Sequence, residues 1–395
     1  MKSIAAGRDE AMAGDRAPAA GWALAALSLS MLLSSLGTSI ANVGLPTLAA
    51  AFGASFQAVQ WVVLAYLLAI TALIVGAGRL GDLVGRRLLL LAGIVVFTAA
   101  SVACGLAPSL WLLIAARAAQ GLGAAVMMAL TLAFVAEIVP KARTGSAMGL
   151  LGTMSAVGTA LGPSLGGLLI AGPGWRALFL VNLPLGILAL ALAHRHLPAD
   201  RPRAQGDRPA FDTVGTVLLA GALAAYALAM TMGRGSFGTL NVALLAAAAG
   251  GLALFAAVES RAAAPLVRLA TFRDPALGSC LAASALVAAV MMAILVVGPF
   301  YLARALGLDA ASVGVVVSVG PAVVALAGVP SGRIADRFGA SRMSVAGLGA
   351  IAFGCAGLAA APTAWGVAGY VAALVVVTAG YALFQTANNT VVMTG

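Results

Sequence analysis

Apolar residues along this chain fall into long runs, many near the roughly 20 residues that an α-helix needs to cross a bilayer. Six helical spans are predicted near 21–50, 59–79, 88–107, 110–138, 144–171 and 177–194. Six more follow near 212–232, 240–258, 277–301, 311–330, 342–361 and 364–392. Charged residues gather in the short intervals between runs. The pattern predicts an all-α, polytopic membrane protein whose main solvent is lipid. The first run, Gly21 to Ala50, is too long for the apolar region of a signal peptide, and its flank lacks a small-residue cleavage site, so it reads as a retained helix.

Composition agrees: 62% of the 395 residues are hydrophobic and 9% charged, against about 45–50% and about 25% in ordinary soluble domains. The formal charge of +10 is explained by its placement. With a cytoplasmic N-terminus, only Arg176, Arg234 and Arg304 fall outside and Arg117 falls within a span, while the other eighteen of 22 basic residues lie inside. This asymmetry is the positive-inside pattern, expected for a bacterial inner-membrane protein, and it implies no nucleic-acid partner.

Enzyme chemistry finds little support. His194 and His196 flank Arg195 at a loop entrance, without a nucleophile and base beside them, and no phosphate-binding loop is present. Cys104, Cys280 and Cys355 each stand alone in an apolar segment and read as small hydrophobes. No cofactor or metal is expected.

An internal repeat organises the chain. Gly78, Arg79, Leu80, Gly81, Asp82 and Gly85 recur as Gly332, Arg333, Ile334, Ala335, Asp336 and Gly339, every pair 254 residues apart. The glycines permit a tight turn, the aspartates can cap a helix N-terminus, and Arg86 and Arg87 suit the headgroup region. In the fourth span, burying Arg117 costs at least about 2.5–3.5 kcal/mol on insertion scales, so the guanidinium should face the protein interior or a wet cavity. Gln120 lies three residues on, on the same helix face. In the fifth span Gly158, Gly162 and Gly166 are spaced for close helix approach, Pro163 can kink the helix, and Gly167 follows.

These segments resemble the major facilitator superfamily: the stretch Gly78 to Arg87 resembles its signature loop, Arg117 to Gly123 its intramembrane arginine motif, and Gly158 to Gly167 the motif associated with antiporters. Three further stretches, Gly174 to Gly186, the segment around Glu259 and Arg261, and Leu383 to Asn389, resemble the fourteen-span drug:proton antiporters. The resemblance implies a major facilitator fold: a cytoplasmic tail 1–20, a six-helix bundle 21–194, a cytoplasmic loop 195–211, a two-helix insert 212–259, a linker 260–276 and four helices of a second bundle 277–395. The first copy of the signature loop is followed by four helices and the second by two, so the chain is expected to lack the last two spans.

The function implied is secondary active, proton-driven efflux of small amphipathic organic compounds by a monomer. The alternatives are a metabolite importer of the same fold, which would need more polar cavity side chains, and a non-transporting membrane protein. Cavity candidates are Arg117, Gln120, Asn42, Tyr66 and Gln385, with Met127, Met128, Met291 and Met292 as adaptable walls. Gly78, Asp82, Gly85, Arg86, Arg87 and Asp336 are the gating candidates. The resemblance implies that Asp336 docks near the start of the fifth span, around Thr144, whereas Asp82 would need a helix beyond residue 395. All twelve acidic residues lie in tails, loops or span ends, and Gly37 stands where relatives carry an acid, so the sequence names no proton-carrying carboxylate.

Overall fold

The computed structural model describes residues 2–140, 143–200, 212–231, 238–262, 274–308, 310–360 and 365–394. It is helical, and among the described residues there is no strand. The helices are α1 (Lys2–Phe52), α2 (Phe56–Val84), α3 (Arg86–Leu106), α4 (Leu110–Ile138), α5 (Thr144–Ala171), α6 (Ala177–Leu180), α7 (Asn182–His196), α8 (Thr213–Thr231), α9 (Thr239–Glu259), α10 (Pro275–Arg304), α11 (Ala310–Phe338), α12 (Ala340–Ala360) and α13 (Gly366–Thr394). Eleven segments among the described residues are long and apolar enough to cross a membrane, and α10 adds the shorter apolar stretch Leu277–Met291.

Several boundaries differ from expectation: α1 is helical from Lys2, through the expected tail 1–20, and α11 runs on to Phe338. The sixth span is broken at Val181 into α6 and α7. Pro184 has no N–H to offer the Leu180 carbonyl one turn earlier, which removes a helical bond where the break occurs. The second span also runs farther than predicted, so most of the signature segment forms the last two turns of α2. The turn itself is Gly85 alone, at φ 111°, and α3 begins at Arg86. The second copy repeats this at Gly339, φ 92°, between α11 and α12.

The chain forms two compact units. The first comprises 1–134 and 161–269. Its core packs Leu36, Ile40, Val62, Leu113, Leu178 and Phe179. Lipid supplies no hydrophobic drive for helices to associate, so close packing through small residues has to hold them. A Cβ on Gly121 would lie 2.5 Å from the Tyr66 carbonyl oxygen, and one on Gly123 would lie 2.6 Å from the Phe97 amide nitrogen. Glycine at these two places lets α4 touch the backbones of α2 and α3. Gly162 does the same for α5 on α1, where a Cβ would meet Ser39 Cβ at 2.6 Å and the Ile40 nitrogen at 2.9 Å. The α8 and α9 pair is closed at its ends by polar bonds: Asp212 Oδ1 accepts from the Gly215 N–H at 2.7 Å, and Asn241 Nδ2 donates to the Ala229 carbonyl at 2.6 Å.

The second unit comprises 135–160 and 270–395. Here α12 and α13 meet along another glycine seam, with Gly347 against the Phe384 amide nitrogen and Gly380 against Ile351. The first turns of α5 meet α11 in the same way: a Cβ on Gly332 would fall 2.8 Å from the Gly145 carbonyl carbon, and one on Gly149 would fall 3.0 Å from that of Gly328.

Candidate functional site

The first unit gathers its polar interior around Arg117. The side chain is fully buried. Its Nε donates to the Val62 carbonyl at 2.9 Å and its Nη1 to Gln120 Oε1 at 2.6 Å. Gln120 Nε2 passes the chain on to Ser101 Oγ at 2.7 Å, and Ser101 donates to the Phe97 carbonyl at 2.7 Å. The Arg117 Cζ lies 4.1 Å from the centroid of the Tyr66 ring, in cation–π geometry. The Tyr66 hydroxyl donates to the Ser34 carbonyl at 2.7 Å. One guanidinium thus joins α2, α3 and α4, and through Tyr66 it reaches α1. Glycines 121 and 123 bring those backbones close enough for the bonds to form.

Electrostatically the cluster is one-sided. No carboxylate joins Arg117 among the described residues, and its Nη2 has no hydrogen-bond partner in the structure. Gly37 sits over the same cluster, where a Cβ would lie 3.1 Å from the Tyr66 hydroxyl and 3.4 Å from the Phe97 ring. Position 37 therefore adjoins Tyr66, the ring on which the guanidinium rests. What the arrangement offers is a fixed positive charge with a spare donor in an apolar interior, where such a charge acts strongly.

The signature segments form the second candidate element. In the first copy, Asp82 Oδ1 accepts from Arg86 Nε at 3.1 Å and Nη2 at 3.0 Å. Asp82 lies in the last turn of α2, and its partner among the described residues is Arg86. Arg87 Nη2 donates to the His194 carbonyl. In the second copy, Asp336 receives the Gly145 N–H at 2.8 Å, the Ser146 N–H at 2.9 Å and the Ser146 hydroxyl at 2.7 Å. These amides lie at the start of α5, whose positive end favours an anion. The docking expected of Asp336 near Thr144 is present.

The remaining candidates scatter. Tyr66 and Gln120 share the Arg117 cluster, but Asn42 is exposed and donates to the Thr38 carbonyl of its own helix at 3.3 Å. Gln385 is half-buried in the second unit and faces Asn389 at 3.4 Å. Met127 is buried in the packed interior, Met128 is half-buried, and Met291 packs with Val287, Ile351 and Phe384. The side chains of Met292 and Pro163 lie outside the described residues. On α5, Gly158, Gly162 and Gly166 are buried, while Gly167 is exposed with open space at its Cβ position, so Gly167 is not on the packing face. Sequence reasoning missed Ser101, a hydroxyl inside an apolar span. It also missed Asn388, whose Nδ2 donates to Ser284 Oγ at 2.9 Å and ties α13 to α10.

Comparison with known proteins places this geometry. The profile of the Major Facilitator Superfamily matches residues 27–395. The multidrug resistance protein Stp of Mycobacterium tuberculosis is 35% identical over 82% of this chain, which spans 60% of Stp. The riboflavin transporter RibZ of Clostridioides difficile is 29% identical over 93% of the chain and 79% of its own length. Among solved structures, the proton:xylose symporter XylE is similar in fold, with a TM-score of 0.66 at 17% identity, covering 95% of this chain and 82% of XylE. The buried arginine cluster, the repeated aspartate segment and the multi-pass helical architecture therefore belong to a member of the Major Facilitator Superfamily, a family of membrane carriers.

Proposed function

We propose that the chain exports small amphipathic organic compounds, driven by the proton gradient, as a member of the fourteen-span drug:proton antiporter branch. In this reading it works as a monomer in the bacterial inner membrane, with its N-terminus in the cytoplasm and 21–194, 212–259 and 277–395 as first bundle, insert and second bundle. Arg117, held by Gln120 and Tyr66, carries the fixed charge of the transport pathway. Asn42 and Gln385 line it in other conformations, and the glycine face of α5 lets helices slide. The observation that carries the reading is Asp336 on the start of α5. Three hydrogen bonds to one carboxylate make a lock that can open and close without covalent change, which alternating access needs. The multidrug name of Stp, at 35% identity, supports the substrate class.

The name of RibZ supports a second reading, import of a metabolite. Vesicles containing the full chain, loaded with a fluorescent amphipathic dye and given a pH gradient of either sign, separate the two. Gradient-driven dye movement out of the cytoplasmic compartment is the expected result. Movement of riboflavin inward, with none of the dye, would replace the proposal with the second reading. Because Gly37 supplies no carboxylate beside Tyr66, proton coupling is expected to be weak or altered. Gly37→Asp is expected to change the pH dependence of transport, and identical pH profiles for parent and variant would refute that role for the position.

A further inference from the structure

We infer that Asp200 is the missing N-cap of α3 and positions the first signature segment from a distance. A helix leaves its first N–H groups without intrahelical acceptors, and a side chain at the N-cap usually takes the bonds of the second and third residues. The N-cap of α3 is Gly85, which has no side chain and makes no such bond. Asp200, over a hundred residues later, occupies the vacancy. Its Oδ1 accepts from the Arg87 N–H at 2.9 Å and its Oδ2 from the Leu88 N–H at 3.1 Å. These are the second and third residues of the helix.

The fit explains Gly85 twice over. Its φ of 111° favours glycine, and a Cβ there would stand 2.6 Å from Asp200 Oδ2 and 2.8 Å from Asp200 Cγ. A carboxylate fills the place a side chain would take. Arg87 returns the bond, donating from Nη2 to the His194 carbonyl near the end of α7. The segment after α7 and the turn between α2 and α3 are thus stapled in both directions, next to the Asp82 and Arg86 pair. At the corresponding turn of the second copy, the Cβ position of Gly339 is open, with nothing within 4 Å. Asp200 is therefore a positioning residue for the first signature segment.

The test is hydrogen exchange on the full chain in lipid nanodiscs, read at the Arg87 and Leu88 amides. Asp200→Ala should speed exchange there about fivefold, the usual worth of a cap, and Asp200→Asn should fall between. Gly85→Ala should produce the same local rise with Asp200 still present, because the methyl group takes the carboxylate's seat. Adding Asp200→Ala to Gly85→Ala should then change little. Residues 340–346 serve as the internal control and should not respond. Unchanged exchange at Arg87 and Leu88 in Asp200→Ala would overturn the assignment. A rise that includes the control residues would overturn it too, by making Asp200 a general folding residue. A second arm rests on the transport reading: Asp200→Asn should lower the maximal dye flux while leaving the half-saturating dye concentration unchanged. The exchange result stands whether or not this dye is a substrate, so failure of one arm is not failure of the other.

Discussion

The two copies of the signature segment have the same backbone and different partners. Each is the end of a long helix, a single glycine at positive φ, and the start of the next helix. Yet Asp82 is held by Arg86 on its own chain segment, and Asp336 by the first turn of α5. The residue four places on also differs. It is Arg86 in the first copy and Ala340 in the second, so the first aspartate meets a guanidinium across the glycine turn and the second does not. The leading glycines diverge as well. A Cβ on Gly78 would point into open space, whereas one on Gly332 would strike the backbone of α5. A repeated motif therefore preserves conformation, while its neighbours decide what the conformation does.

The largest expected effect tests the glycines. Gly332→Ala drives a methyl group into Gly145 and Ser146 and should destabilise the protein by about 1–3 kcal/mol, as overpacking does. Gly78→Ala meets no atom within 4 Å and replaces a helical glycine, so it should be neutral or stabilising by up to about 1 kcal/mol. Thermal unfolding of the two variants in the same detergent reads both signs at once. Equal losses would mean that the two glycines are equivalent after all.

Next in size is the docked carboxylate. Asp336→Ala removes three hydrogen bonds and an anion from a helix N-terminus, an interaction typically worth about 0.3–1 kcal/mol and about 2 kcal/mol when partly buried. Asp336 is exposed, so the lower part of that range applies to stability. Transport should suffer more than stability, because a small bias on a two-state gate changes its populations several-fold. Dye flux at matched protein levels is the measure, and flux equal to the parent's would remove Asp336 from the gate.

The sequence was most legible where one residue's requirement is local. The spans follow from apolar runs, the Arg117 and Gln120 pair from helical spacing, and Gly85 and Gly339 from their need for a turn. Partners contributed by distant segments left no local trace. Nothing near Gly85 announces Asp200, and nothing near Asp336 says that Gly145 and Gly149 let α11 approach close enough for docking. Asn42 and Gln385 are polar in apolar spans, and each donates an amide N–H to its own helix. The break at Val181 was hidden because hydropathy is blind to a missing N–H.

A smaller effect is expected from giving the second copy the side chain of the first. Ala340→Arg places a guanidinium across the Gly339 turn from Asp336, where exposed ion pairs are worth about 0.2–1 kcal/mol. That is less than three hydrogen bonds to α5, so the dock should weaken without opening. Exchange at the Gly145 and Ser146 amides should rise about twofold, and high salt should erase the rise by screening the new pair. A rise unaffected by salt would point to steric damage in place of competition.

The smallest effect belongs to Asp82→Asn. Both partners of the Asp82 and Arg86 pair are more than a third exposed, at 38% and 39% of their side-chain surface. Pairs of that kind contribute about 0.3–0.5 kcal/mol and less in salt. The substitution keeps an acceptor oxygen at the same place, so Arg86 can still donate to it. Asp200, which holds the neighbouring Arg87 and Leu88 amides, is untouched by the change and should keep the turn in position. The unfolding temperature should therefore move by no more than the scatter of the measurement, and dye flux should stay near that of the parent. The comparison is decided by running Asp82→Asn beside Asp336→Asn in one preparation. If Asp82→Asn lowers flux as much as its counterpart, the pair with Arg86 is a working part of the gate, and the division of roles between the two copies is wrong.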